Sequence, residues 1–68
     1  MSLAQIILFI VERRAGASDC DLAFGIYGER TQQLVNGICR HLANIGKLVR
    51  RKRPDGIIGN YLPSQISN

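Results

Sequence analysis

The sequence predicts an α+β fold, mostly helical, in which three helices precede a C-terminal two-stranded β-hairpin. Three observations carry this expectation. Apolar residues recur at helical spacing over residues 3–11 and again over 34–45, and a Pro-Asp-Gly turn at 54–56 separates two short extended arms. Sixty-eight residues make a single domain at most, expected over residues 1–63 with a polar tail at 64–68.

In the first segment Leu3, Ile6, Ile7, Ile10 and Val11 fall at i, i+3, i+4, i+7 and i+8, with Leu8 and Phe9 widening the stripe. The β-branched residues make a strand the rival reading. Ala4, Gln5 and the Glu12-Arg13-Arg14 continuation favour a helix, which Gly16 can stop. The run imitates a secretory signal ahead of Ala15-Gly16-Ala17. No basic side chain precedes it, however, and residues 12–14 are charged where a cleavage region is neutral. It is also too short to span a bilayer. The expectation is a cytoplasmic protein with no membrane partner.

The second segment, SDCDLAFGIYG, offers Ser18 or Asp19 as N-cap and Asp21 in the first turn, where a carboxylate suits the helix dipole. Leu22, Ala23 and Ile26 can face inward, while Gly25 and Gly28 keep the helix short.

The third segment is the most regular. At about 100° per residue, Leu34, Val35, Ile38, Cys39, Leu42 and Ile45 gather on one side. Gln33, Asn36, Gly37, Arg40 and Asn44 lie opposite, all polar or glycine and none acidic. A glycine inside a helix costs about 1 kcal/mol against alanine, so Gly37 asks for a reason, and close approach of a ligand to the helix backbone is one. Gly46 supplies the stop.

The hairpin follows, with arms expected at 47–53 and 57–62. Pro54 suits the second position of a type I turn, Asp55 the third, and Gly56 the left-handed residue after it.

Charge is divided along the chain. Residues 1–29 hold Arg13 and Arg14 against Glu12, Asp19, Asp21 and Glu29, whereas residues 30–53 hold seven cations and no anion. That asymmetry predicts a basic footprint on one side of the molecule.

With these elements in order, QLVNGICRHLANIGKLVRRKRPDGIIGNYLP resembles the third helix and wing of winged helix-turn-helix DNA-binding domains. The shared frame is Val35, Ile38, Leu42, Gly46 and Leu48, then basic residues, an Asp-Gly turn and an aromatic at Tyr61. The resemblance covers about residues 3–63. It implies a third helix in the major groove of double-stranded DNA and a hairpin wing on the backbone or minor groove. VNGICRHLANIGKL also resembles the recognition helix of the Z-DNA-binding domains of RNA-editing deaminases, with Asn36 in place. Arg40 stands where that group carries tyrosine and the chain has no tryptophan, so recognition of left-handed DNA is not carried over.

The residue chemistry leads to the same expectation. Gln33 and Asn36 can each make a two-pronged contact to adenine and Arg40 one to guanine, with Thr31 and Gln32 near the groove entrance. Arg50, Arg51, Lys52 and Arg53 are expected on phosphates, with Arg30, Asn44 and Lys47 as outlying contacts. Strand alternation sends Arg51 and Arg53 to one face and Arg50 and Lys52 to the other. A basic run also protects a strand edge, and a polar helix face is often simply wet.

Cys20 and Cys39 are too few for a disulfide framework or a zinc site and read as small buried hydrophobes; the lone His41 reads as a partly buried packing residue. Asp19 and Asp21 read as capping residues rather than a catalytic pair. No catalytic residues, metal or cofactor are expected. A homodimer, through the apolar first helix, is the expected assembly. The rival reading is a protein-interaction module docking through that helix or the hairpin, with RNA binding as a weaker third option.

Overall fold

The computed structural model describes residues 1–29 and 33–66. Helices α1 (Leu3–Arg13), α2 (Asp19–Tyr27) and α3 (Gln33–Asn44) are joined by three strands, β1 (Ala17–Ser18), β2 (Val49–Lys52) and β3 (Ile58–Tyr61). The strands form one antiparallel sheet in the order β1-β3-β2, with Ala17 opposite Asn60 and Arg50 opposite Asn60 from the other side. The α+β class and the hairpin stand as expected. The two-residue strand β1 is an addition, too short to leave a periodic signal.

Local chemistry accounts for each boundary. Ser2 caps α1: its hydroxyl accepts from the Gln5 amide at 3.2 Å, and the Gln5 side chain accepts from the Ser2 amide at 2.8 Å. The same reciprocal box opens α2 between Ser18 and Asp21. Ser18 is therefore the N-cap, and Asp19 is the first helical residue with its side chain free for other work. Helix α3 ends in a Schellman arrangement, with Gly46 donating to the Ala43 carbonyl and Lys47 to that of Leu42.

The hairpin turn has the expected form. The Gly56 amide donates to the Arg53 carbonyl at 2.9 Å and the Arg53 amide to Ile57 at 2.8 Å, with Gly56 at φ 88°.

Ile7 and Val11 of α1, Leu22 and Ala23 of α2, Val35, Cys39 and Leu42 of α3, and Leu48 before β2 form the core with Ala17. Three expectations change here. Leu34 and Ile45 belong to the apolar half of α3 but stand 57% and 53% exposed, because the core touches only an arc centred on Val35, Cys39 and Leu42. His41, two turns from Leu34 on the solvent side, is exposed rather than half-buried. Cys20 lies half-buried at the start of α2, so only Cys39 is a core thiol.

The expected tail is also partly built in. Pro63–Gln65 make a 3-10 turn, and the Gln65 amide donates to the carbonyls of Val11 and Glu12 at 3.0 and 3.2 Å, satisfying the open end of α1.

Two glycines allow the sheet to close. A Cβ on Gly59 would lie 2.7 Å from the Gly16 carbonyl oxygen and 3.0 Å from its Cα, so the β1 approach and β3 can pair only without a side chain there. Gly16, at φ 89°, lies under the ring of Tyr61.

Candidate nucleic-acid interface

Asp19 is the hub of the site. Starting α2 directly after the Ser18 cap turns its carboxylate inward, where it meets residues from three other elements. Asn36 of α3 donates from Nδ2 to Oδ2 at 2.6 Å. Arg50 of β2 donates from Nη1 to Oδ1 at 2.8 Å and from Nη2 to Oδ2 at 3.1 Å. Asn60 of β3 donates from Nδ2 to Oδ1 at 2.9 Å, and also to the Ala17 carbonyl at 2.9 Å, while its own oxygen accepts from Arg50 at 3.0 Å. The two-pronged Arg50–Asp19 pair is only 20% and 9% exposed. One carboxylate therefore ties α2, α3 and both hairpin strands together.

Its electrostatics follow from that setting. Burial pushes the Asp19 carboxyl up, but the donors from Arg50, Asn60 and Asn36 outweigh it and hold the pKa below the ordinary value. Arg50 is driven the other way by its bond to Asp19, and stays charged. Burial and the Asp19 charge push the Cys39 thiol up to about 12.

A second cluster holds the hairpin tip. Arg53 donates to both oxygens of Asp55, at 3.2 and 2.7 Å, to the Gly16 carbonyl at 2.9 Å and to Asp21 at 3.4 Å. The Ser18 amide and the Arg53 guanidinium keep the Asp21 carboxyl below its ordinary value.

Between these clusters lies a cleft of about 700 Å³, bounded by the first turn of α2, by Gln33 and Asn36 of α3, and by Arg50, Arg53, Ile57 and Ile58 of the hairpin. Its charged walls carry Asp19 and Asp21 opposite Arg50 and Arg53, so it is nearly neutral. Among the described residues no three His, Cys, Asp or Glu side chains converge as metal ligands would. No described helix is long and apolar enough to cross a membrane.

The residues singled out in the sequence thus divide. Gln33, Arg40 and Asn44 are exposed along one strip of α3, with Gly37 between them. Among the described residues a Cβ at Gly37 would meet nothing within 4 Å, so none of them requires glycine there. Lys47, Arg51 and Lys52 are exposed beyond it. Asn36, Arg50 and Arg53 are bonded inside the molecule instead. Arg30, Thr31 and Gln32 lie outside the described residues.

Sequence reasoning did not anticipate Asp19 and Asn60 as the centre of the site. The signal was present in the charge count: with cations crowded into one half, the acids at the start of α2 are natural counter-ions. Asn60, a polar residue in an otherwise apolar strand, was the second hint. No protein-family model, no curated protein and no solved structure matches the chain.

Proposed function

We propose that the chain is a winged helix-turn-helix domain that binds double-stranded DNA, with α3 in the major groove and the β2–β3 hairpin as the wing. The observation that carries this reading is the uncovered strip of α3: Gln33, Gly37, Arg40 and Asn44 are exposed, carry no acid and run on to the exposed cations Lys47, Arg51 and Lys52. Arg40 and Gln33 supply the donor and acceptor pairs for base edges, and the lysines and Arg51 supply charge for phosphates. Asn36 and Arg50 are positioning residues in this reading, holding helix and wing at a fixed angle through Asp19. The order of elements, with a short strand between the first two helices, supports it as well.

The test is binding to a random duplex pool across a salt series. Each phosphate contact contributes a slope of about −0.9 in log K against log salt, so Lys47→Ala with Arg51→Ala is expected to flatten the slope by about 2 and weaken all sequences alike. Arg40→Ala should instead relax preference at one base pair, at a cost of about 1–3 kcal/mol. Absence of duplex binding at low ionic strength defeats the reading.

Gly37→Ala separates fold from function. With open space for the methyl group, the helix should gain about 1 kcal/mol of stability by urea unfolding. Duplex affinity should fall by about tenfold if the helix backbone meets DNA there, as crowding a tight contact does.

A further inference from the structure

Gly37 stands in the second turn of α3 and opens a recess in its exposed face. Its i−4, i−3, i+3 and i+4 neighbours, which a helix places around any residue, are Gln33, Leu34, Arg40 and His41. On an ideal helix Arg40 lies about 60° to one side of Gly37 and Leu34 about 60° to the other. All four neighbours are exposed, and Leu34 keeps 57% of its surface in water. Among the described residues nothing lies within 4 Å of the place a Cβ would take. The recess therefore has a floor of bare helix backbone, a polar flank from Gln33 and Arg40, and an apolar wall from Leu34. Two features of α3 find no use inside the fold: a glycine that lowers helix stability by about 1 kcal/mol, and a leucine left mostly in solvent beside it.

We propose that this recess seats the C5-methyl group of a pyrimidine, thymine or 5-methylcytosine, on the base pair next to the guanine read by Arg40. The inference rests on duplex binding through α3 and names the group that the helix selects. A C5-methyl is the apolar feature that base edges present in the major groove. It gains from contact with carbon at about 3.5–4.0 Å, which the Gly37 Cα and the Leu34 side chain can supply once no Cβ holds the helix away. A phosphate suits the recess poorly, because a mid-helix backbone has no spare N–H to offer it. Spacing supplies the second argument. Arg40 follows Gly37 by three residues, about 4.5 Å along the axis, close to the rise of about 3.4 Å between successive bases. The methyl group and the guanine thus fall on adjacent pairs. Gln33, at the other end of the recess, carries both a carbonyl and an amine. It can accept from the 4-amino group of 5-methylcytosine or donate to the 4-oxygen of thymine, so the methyl group is what the two ligands share.

The experiment takes the duplex selected from a random pool and replaces each thymine in turn by deoxyuridine and each cytosine by 5-methylcytosine. Kd is read by fluorescence anisotropy at fixed salt. At one position, beside the guanine whose preference Arg40→Ala relaxes, the methyl group should tighten binding about fourfold, the effect of burying one such group. A loss on deoxyuridine there assigns thymine, and a gain on methylation assigns 5-methylcytosine. Gly37→Ala fills the recess with its own methyl group, so it should abolish the methyl ratio and keep the preference for guanine. Leu34→Gln should cut the ratio to about twofold or less, since the apolar wall is gone. Gly37 and Leu34 are both exposed, so circular dichroism should show the folded helix in each variant. Equal affinity with and without the methyl group at every position would overturn the inference and leave duplex binding standing. So would a methyl effect that survives Gly37→Ala. Absence of duplex binding at low ionic strength would remove both the inference and the reading beneath it.

Discussion

Asp19→Ala is expected to remove about 3 kcal/mol of stability, the lower end of the 3–5 kcal/mol lost when one partner of a buried ion pair is deleted. The lower end applies because Arg50 keeps a fifth of its side-chain surface in water. The change leaves the Arg50 guanidinium and the amides of Asn36 and Asn60 without their common acceptor. A chain of this length has about 3–10 kcal/mol to lose, so the change should remove about a third or more of its stability. Urea unfolding followed by circular dichroism measures it. A loss below about 1 kcal/mol would mean that the pair behaves like an exposed one.

Acid should act through the same carboxylate. Its folded-state pKa is depressed below the ordinary 3.8, so its contribution is complete above that value and is lost as pH falls through the folded-state pKa. Stability should therefore be flat from neutral pH down to about 5 and decline below about 4. Asp21 and Asp55 are depressed too and add to the decline, so the difference between wild type and Asp19→Asn isolates the Asp19 share. Arg50→Met removes one of the influences that lower the Asp19 pKa and should move the acid transition to higher pH.

Gly59→Ala is expected to cost about 2–3 kcal/mol, the upper part of the range for overpacking. The added methyl group would sit 2.7 Å from the Gly16 oxygen, and backbone on both sides must separate to admit it. The Gly16 amide bond to the Asn60 carbonyl, at 2.9 Å, lies at that junction. The hydrogen-exchange protection of the Gly16 amide should fall together with the urea midpoint. Unchanged protection would show that the strands accommodate a methyl group without parting.

Much of the fold was legible because it rests on local rules. Helical spacing in α1 and α3, a cap at Ser18 or Asp19 with Asp21 in the first turn, and the Pro54-Asp55-Gly56 turn each act within a few residues. Strand β1 was not legible, since two residues paired with Asn60 and Gly59 more than forty positions away carry no pattern of their own. The candidate site was half legible for the same reason. Gln33, Arg40 and Lys47 could be picked out by type and by helix face. That Asn36, Arg50 and Arg53 turn inward depends on Asp19, Gly16 and Asp21 arriving from elsewhere in the chain. Leu34 and Ile45 mark the converse limit: periodicity assigns a residue to an apolar half-circle, not to a contact.

The two thiols differ in a way that equips the chain with a built-in reporter. Cys20 is half-buried at the start of α2, whereas Cys39 is buried in the core with Val35, Leu42 and Leu22, where burial and the Asp19 charge push its thiol up to about 12. At neutral pH Cys20 does not distinguish folded from unfolded molecules, whereas Cys39 can be alkylated by iodoacetamide only in molecules whose interior is open. The rate of Cys39 alkylation, read by mass and compared with that of an unprotected thiol, gives the open fraction without denaturant.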